Sequence, residues 1–500
     1  MRRGAWLGIA IFGVAAAVAI VPSLAQGDTT LQGPYGGGRR FDQARPDLTK
    51  EQREAIVSAV RRNVAELLAE GRLALPEGGP VLFEWPLRPA NGLSDFGYHG
   101  TSPYMDHDST AGLEDFSCSA DTYDGHRGTD ITLWPFPWKK VLESKVEVIA
   151  AAAGTIVFRQ DGYPDQSCEW AGQQGNGVTI QHSDGTSSIY WHMKTGSVTI
   201  KTVDETVETG EYLGVVASSG VSSWPHLHFE VWDSSGTIDP FAGPCNDTTV
   251  TSRWVAQRPH RDTAINKLTT GYPEPSALPP CPTVESPNER KDFQGGSTIY
   301  FTAYYRDQRH FQPTFFEVLR PDGTLYTSWS LELIPPAQIY DVSYWFWSLA
   351  LPFVVPSGTW TWRATFEGTT YEQLFNVGVA AAGSVPSAAV NGPPLTVEKA
   401  PAGAIKLTWG DSCKSSDSTY SIYEGTLGSF YSHTRRVCST GGEKTWTFST
   451  ARANDVYWLV VPRSATRGGS YGTDSSGAER PEPALSSDRC VLRQFECPGP

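Results

Sequence analysis

The chain has 500 residues with a formal net charge of −14 at pH 7. This length predicts about three domains with connectors rather than one core. The negative balance, without any run of clustered Lys and Arg, argues against a nucleic-acid-binding role. An aromatic content of 12%, with 49 Gly, 36 Pro and 3 Met, favours β-sandwiches with many turns over helical bundles.

The first 25 residues have the pattern of an export signal. Arg2 and Arg3 precede an apolar run that extends to Val21, and a small-residue end follows at Ser23-Leu24-Ala25. We expect cleavage after Ala25 and a secreted or periplasmic protein. An uncleaved anchor is the alternative, although the run is short for a membrane span. Because no later segment is long and apolar enough to cross a bilayer, we expect no membrane span in the mature chain.

Residues 26–79 begin with a polar, Gly-rich stretch and then carry a helical pattern. A helix opening near Leu48 and ending near Gly71 would place one apolar stripe on a single face, formed by Ile56, Val60, Val64, Leu67 and Leu68. We expect this helix to dock on the next domain. A pro-segment that covers the active site until it is removed is the alternative interpretation.

Residues 80–247 predict an antiparallel β-sheet, which is the candidate catalytic domain. Two of its strands should form a hairpin around Asp184-Gly185. Alternating and β-branched runs predict its strands at 146–150, 154–158, 178–182 and 188–192. The fold class is therefore expected to be mainly β, with a short helical segment at the N-terminus.

The remainder of the chain is also predicted to be β-rich. Residues 248–280 form a connector with a short possible helix at 263–268, and 380–394 form a linker rich in Ala, Gly, Pro and Ser. Between them, 281–379 predict an immunoglobulin-like sandwich and 395–500 a second β-sandwich. Their expected strands lie at 298–305, 315–319, 358–364, 405–409, 420–423 and 456–461. Trp360, Trp362 and Trp409 are expected in the cores rather than on sugar-binding surfaces.

Eight cysteines follow the export signal, and an even number in an exported chain indicates disulfides. We expect nearest-neighbour pairing along the chain, so that a bond between Cys118 and Cys168 would brace the loops around the cleft. Thiolate zinc ligands are disfavoured because no CxxC pair occurs in the sequence.

Four of the ten histidines and one aspartate fall in three short motifs with the residue types of a zinc site. His126 and Asp130 are four residues apart in a turn-rich stretch, and His192 follows an expected strand. His226 and His228 are two residues apart, so a β-strand would place both on one face. A hydrolytic zinc takes three protein ligands and leaves a position for water. His126, Asp130 and His228 can supply those ligands.

These motifs resemble the lysostaphin-like zinc metallopeptidases of family M23. The resemblance spans about Asp124 to Pro240, including Gly214 to Gly220 before the last histidine pair, Gly175-Asn176-Gly177 and Ile238-Asp239-Pro240. It implies Zn²⁺ held by His126, Asp130 and His228, with His192 and His226 as a catalytic pair outside the metal shell. The flanking sandwiches are similar to accessory domains of exported bacterial proteins, the last one of fibronectin type III-like shape.

The resemblance implies an exported zinc endopeptidase that cuts stem or cross-bridge peptides of bacterial peptidoglycan. His192 and His226 would orient or deprotonate the attacking water and help stabilise the oxyanion, and spacing does not decide which of them is the base. Two alternatives are a catalytically inactive relative that regulates a cell-wall amidase and a wall-binding or adhesive protein. Other polar residues of the region are expected to be structural or exposed: His99, Asp106-His107-Asp108 and His182.

Overall fold

The computed structural model describes most of the chain. The described residues are 18–19, 31–41, 48–74, 77–168, 173–247, 249, 251–352, 355–378, 382–387, 390, 392–414, 417–448, 455–464, 467–474, 479–483 and 488–490. The predicted export signal at 1–25 lies outside these residues, except for the backbone of Val18–Ala19. In the described part of the chain, no helix is both long and apolar enough to span a membrane.

The N-terminal segment contributes two strands and a helix. The strands are β1 (Val18–Ala19) and β2 (Leu31–Arg39), and the helix is α1 (Lys50–Ala69). Thr49 caps α1, since its hydroxyl accepts from the Gln52 amide while the Gln52 side chain accepts from the Thr49 amide. The predicted helix is thus confirmed, whereas β2 occupies a Gly-rich stretch for which no strand was predicted.

The candidate catalytic domain is built from two antiparallel sheets. Its elements are β3 (Leu87–Pro89), β4 (His99–Thr101), β5 (Thr129–Leu133), α2 (Pro137–Leu142), β6 (Val146–Ile149), β7 (Gly154–Gln160), β8 (Gly177–Gln181), β9 (Ser187–Trp191), β10 (Thr206–Val207), β11 (Tyr212–Val215), β12 (His226–Trp232) and β13 (Thr237–Ile238). The large sheet has the order β10-β7-β8-β9-β12-β5-β4 with β13 beside β12, and the small one has the order β11-β6-β3. The predicted antiparallel sheet and its hairpin between β8 and β9 are confirmed.

Successive side chains of β12 point alternately into the core of this domain and to the opposite face of the sheet. Leu227, Phe229 and Val231 point into the core between the two sheets. The intervening residues point to the opposite face, where α1 packs through Ile56 and Val60 against residues of β7 and β9. The predicted docking of the helix on this domain is confirmed.

A sandwich follows with strands β14 (Ala264–Gly271), β15 (Asp292–Phe293), β16 (Thr298–Gln308), β17 (Thr314–Leu319), β18 (Leu325–Leu333), β19 (Tyr340–Ala350), β20 (Gly358–Phe366) and β21 (Thr369–Val377). One sheet has the order β14-β16-β19-β2 and the other β1-β18-β17-β20-β21-β15. Trp360 and Trp362 are buried between them, as predicted. The short helix predicted at 263–268 is wrong, because β14 pairs along its length with β16.

The catalytic domain is inserted between two strands of this sandwich. β2 precedes the catalytic domain in the chain and β14 follows it, and they form the opposite edges of the four-stranded sheet. The boundaries expected from the sequence place both strands outside the sandwich. Both ends of the catalytic domain are therefore anchored in one sheet.

The C-terminal domain is a smaller sandwich of two three-stranded sheets. Its elements are β22 (Thr396–Lys399), a 3₁₀ turn (Pro401–Gly403), β23 (Ile405–Thr408), β24 (Thr419–Thr426), β25 (Thr434–Val437), β26 (Thr445–Phe448) and β27 (Val456–Arg463). The sheets are β22-β23-β26 and β25-β24-β27. Trp409 lies in the core of this domain, as predicted. Parts of the predicted linker, 380–381, 388–389 and 391, lie outside the described residues.

The disulfides do not follow the predicted nearest-neighbour pairing. The observed bonds join Cys118 to Cys245, Cys168 to Cys281 and Cys438 to Cys490, and Cys413 is disulfide-bonded as well. The proposed bond between Cys118 and Cys168 is therefore wrong. Sheet pairing brings distant segments together, so chain proximity does not select the partner.

Candidate metal centre

Three side chains converge where β12 crosses β5. Asp130 on β5 pairs in register with His228 on β12, and His126 lies in the turn before β5. Nε2 of His126 is 3.3 Å from Nδ1 of His228, and Oδ1 of Asp130 lies 3.3 Å from the first nitrogen and 2.9 Å from the second. The three side chains are buried.

These distances and donors fit a zinc ion. Tetrahedral ligands with bonds of about 2.0–2.1 Å lie about 3.3 Å from one another. Two imidazole nitrogens and one carboxylate oxygen form a donor set that zinc accepts, with a fourth position left for another ligand. His126, Asp130 and His228 can therefore hold a metal together.

The ring nitrogens of this site are oriented by backbone carbonyls. Nδ1 of His126 donates to the Tyr104 carbonyl at 2.6 Å, which leaves Nε2 to face the cluster with its lone pair. His192 and His226 donate in the same way, to Ser219 at 2.6 Å and Trp224 at 2.7 Å. Because a carbonyl only accepts, each Nδ1 carries a proton, and Nε2 is the nitrogen of each ring that faces the cluster.

His192 and His226 lie next to each other and beside the three converging groups. Their ring centroids are 4.4 Å apart, and Nε2 of His226 is 3.7 Å from Oδ2 of Asp130. His192 follows β9 with a φ of 68°, a left-handed conformation that is uncommon for a residue other than Gly. The structure thus brings together all five residues singled out from the sequence.

Glu230 holds the remaining histidine in the opposite tautomer. Nε2 of His228 donates to Glu230 at 3.2 Å, so Nδ1 of His228 is the nitrogen that faces the cluster. Oε1 of Glu230 accepts from Arg53 on α1 and from Trp232, both at 2.5 Å. Burial would raise the pKa of Glu230, but Arg53 and the hydrogen bond with His228 outweigh it and hold this pKa at about 2.

Glu230 and Arg53 were not predicted from the sequence as residues of this site. Glu230 could have been found, because it is two residues beyond His228 and shares its face of the strand. No local pattern points to Arg53, which reaches the site from a helix 177 residues earlier in the chain.

The loop that contains Gly128 lies so close to β12 that this position has no room for a side chain. A Cβ at this position would lie 2.8 Å from Cε1 of His228 and 2.6 Å from the Phe229 carbonyl oxygen. Any side chain there would push the turn that carries His126 away from the strand that carries His228. The Gly at this position therefore allows the converging geometry.

The other polar residues of the region lie apart from this cluster. Nε2 of His107 is 2.9 Å from Asp239, and Asp106 accepts from the Gly125 amide, which shapes the turn before His126. His182 is buried and hydrogen-bonded to the Ala153 carbonyl and the Ser188 hydroxyl. His99 is buried as well, and burial lowers its pKa. These residues have structural contacts.

A second group with metal-ligating side chains lies between the catalytic domain and the sandwich. Asp115, Asp121 and His260 place one ligand atom each within 4.8 Å of the others. Arg261 contacts Asp121, and Arg40 lies 3.7 Å from the same carboxylate. Both guanidinium groups pair with Asp121, and Nε2 of His260 lies 2.8 Å from Asp115, so the group acts as an ion-pair network.

Comparison with known proteins identifies the domain that contains this site. Residues 125–240 match the sequence profile of Peptidase family M23. The chain therefore contains a peptidase M23 domain, which covers the five converging residues.

Two curated relatives match parts of the chain. The DD-carboxypeptidase/endopeptidase Mpg of Neisseria meningitidis serogroup B is 31% identical over 127 residues, which cover 24% of this chain and 26% of the relative. The cell division protein DipM of Caulobacter vibrioides is 27% identical over 194 residues, which cover 38% of this chain and 24% of the relative. The chain thus spans about a quarter of the length of these relatives.

Solved structures also match. The catalytic domain of lysostaphin from Staphylococcus simulans is 23% identical, with a TM-score of 0.18, and the match covers 28% of this chain and 85% of that one. A zinc-containing peptidase from Vibrio cholerae is 18% identical, with a TM-score of 0.20, and covers 32% of this chain and 39% of that one.

Proposed function

We propose that this chain is an exported, zinc-dependent endopeptidase that hydrolyses peptide bonds in the stem or cross-bridge peptides of peptidoglycan. The convergence of His126, Asp130 and His228, with the rings of His192 and His226 beside them, is the observation that carries the proposal. The match to Peptidase family M23 and the activity for which the Neisseria relative is named support it. The disulfides agree with an oxidising compartment.

His126, Asp130 and His228 would hold the zinc ion. When bound there, zinc supplies a Lewis acid that polarises a carbonyl and lowers the pKa of a coordinated water to about 7. The carbonyl of Tyr104 and the carboxylate of Glu230 would orient these ligands, because they leave Nε2 of His126 and Nδ1 of His228 facing the cluster.

His192 and His226 would handle the protons and the developing charge. Each presents a basic Nε2, because its Nδ1 proton is committed to a backbone carbonyl. One ring would take a proton at Nε2 from the attacking water as the water oxygen bonds to the carbonyl carbon, and would pass that proton to the leaving nitrogen as the C–N bond breaks. The other ring, after taking up a proton from solvent at Nε2, would donate a hydrogen bond to the oxyanion. Their centroid separation of 4.4 Å allows both rings to reach one scissile peptide group.

Digestion of isolated peptidoglycan tests the proposal. The zinc-loaded chain is expected to release fragments with new peptide termini that mass spectrometry identifies, whereas chelator-treated protein releases none and His226→Ala releases them at a strongly reduced rate. A chain that binds stoichiometric zinc but releases no fragments, and instead activates a cell-wall amidase, would establish the regulatory alternative. Retention of the cellular role by His126→Ala, together with its loss on truncation before Cys281, would establish the adhesive alternative.

A further inference from the structure

A cavity of about 660 Å³ lies between α1 and the sheet that carries the metal ligands. Val57, Val60 and Val64 of α1 form its roof, and Gln181, Ser187 and Trp232 lie on its sheet side. Most of this lining is apolar. The cavity is therefore a defined compartment on the same domain as the metal centre.

Strand register places this cavity on the face of the sheet that carries His228. On the antiparallel strands β12 and β9, His228 pairs with Trp191 and Trp232 pairs with Ser187. The second pair lies four residue positions away from the first. Ser187 in turn pairs with Gln181 of β8. Residues an even number of positions apart share a face, and four positions span about 13 Å. A peptide lying on this face beside the metal centre would reach the cavity within about four extended residues.

Three arginines line the cavity. Arg53 and Arg61 lie on the same side of α1, and Arg127 is adjacent to the metal-ligating His126. Arg53 is paired with Glu230, while Arg61 and Arg127 are exposed and have no carboxylate within 4 Å in the described part of the chain. The acidic lining residue Asp233 accepts from Ser235 and Gly236 of its own turn. In a chain with net charge −14, this is an unusual concentration of positive charge.

We propose that this cavity is a substrate subsite that binds a carboxylate of the peptide, with Arg61 and Arg127 as its ligands. The inference rests on the proposed peptidase function and names the group that its substrate presents. α1 lies across the sheet and closes this end of the face, so the subsite receives the end of a peptide rather than its continuation. Guanidinium groups bind carboxylates through charged hydrogen bonds, and the valines and Trp232 accommodate the attached alkyl groups.

Three versions of one synthetic stem pentapeptide test the subsite on the full-length, zinc-loaded chain. The first has a free C-terminal carboxylate, the second a C-terminal amide, and the third an amide with Glu as its last residue. We expect kcat/KM for the free acid to exceed that for the amide by about tenfold or more, mainly through KM. Arg61→Gln and Arg127→Gln should each reduce this ratio by about tenfold, while Arg320→Gln in the sandwich should leave it intact.

The possible outcomes test the subsite and the peptidase function independently. Equal hydrolysis of free acid and amide would overturn the subsite and leave the peptidase function standing. Absence of hydrolysis of all three peptides would count against the function, and calorimetric binding of the free acid and amide would then decide the subsite alone. If the Glu-amide peptide behaves as the free acid, a side-chain carboxylate is sufficient; if it behaves as the amide, the subsite is specific for the C-terminus. Either result supports carboxylate binding.

Discussion

Arg53 and Glu230 form a partly buried ion pair of 2.5 Å that connects the N-terminal helix to the candidate metal centre. The Glu230 side chain has 0% of its surface exposed, and its second oxygen accepts from His228. The helix and the ligand shell are thus joined by a single carboxylate.

Loss of this ion pair should weaken metal binding. Arg53→Ala and Glu230→Gln each leave His228 less firmly oriented, and partners of this kind typically contribute 10- to 100-fold to metal affinity. Competition titration with a chromogenic chelator would measure the zinc Kd. Arg62→Ala, on the outer side of α1, is the control and should bind zinc as the wild type does. A wild-type Kd in Arg53→Ala would contradict the positioning role.

Removal of residues 26–79 should weaken zinc binding at least as much as Arg53→Ala does, because this segment carries α1 and also contributes β2 to the sandwich. The pro-segment interpretation predicts that cleavage activates the protein, whereas the ion pair predicts that cleavage after Gly79 weakens zinc binding. A chain with a protease site introduced near Gly79 allows the comparison before and after cleavage. Higher peptidase activity at saturating zinc after cleavage, with unchanged zinc affinity, would favour the pro-segment.

If His126 and His228 bind zinc while His226 is catalytic, substitution of the first two should abolish zinc binding and substitution of the third should reduce turnover. His126→Ala and His228→Ala should contain no stoichiometric zinc, because each removes one of three protein ligands. His226→Ala should retain zinc and lose most of its turnover, typically 10²- to 10⁴-fold for a general acid or base. Elemental analysis and a peptide hydrolysis assay measure the two properties. Equal zinc loss in all three variants would show that this assignment of roles is wrong.

Glu230 should make the metal-free protein sensitive to acid. Its pKa is held at about 2 in the folded chain, below the ordinary value of 4.5. Between these pH values the unfolded chain binds more protons, so the stabilisation is present above pH 4.5 and is lost as the pH falls towards 2. The full effect is about 3 kcal/mol. Urea denaturation should show the stability advantage over Glu230→Gln shrinking between pH 5 and pH 3, and a constant difference would exclude this role.

The disulfide between Cys168 and Cys281 should stabilise the junction of the catalytic domain and the sandwich. Its cysteines are 113 residues apart, and a bond that closes a loop of this size contributes about 2–5 kcal/mol. The double variant Cys168→Ser/Cys281→Ser should therefore lower the Tm of the catalytic domain. As the matched control, Cys438→Ser/Cys490→Ser should affect the C-terminal domain and leave that transition in place.

Sequence patterns predicted those elements whose secondary structure is determined by residues close together in the chain. The stripe from Ile56 to Leu67 identified α1, and the alternation around His226 and His228 placed both rings on one face. The same two-residue alternation along the strand would have identified Glu230. These features arise from neighbouring residues and are therefore readable from the sequence.

The errors concern contacts between residues far apart in the chain. Residues 263–268 carry too little local preference to distinguish helix from strand, and pairing with β16 makes them β14. The partner of Cys118 is Cys245, which sheet folding brings near it. Arg53 reaches Glu230 only because α1 lies across the sheet.

The insertion of the catalytic domain between β2 and β14 imposes an order on biosynthesis. β2 pairs with β19, and Phe41 just beyond β2 donates to Asp341, 300 residues later. At about 5–20 residues per second, the ribosome produces that partner about 15–60 s after β2. The complete catalytic domain is synthesised during this interval. β2, one of the two strands that anchor it, cannot yet pair with β19, because β19 has not been synthesised. A chaperone that shields the exposed edge of β2 would act within this interval.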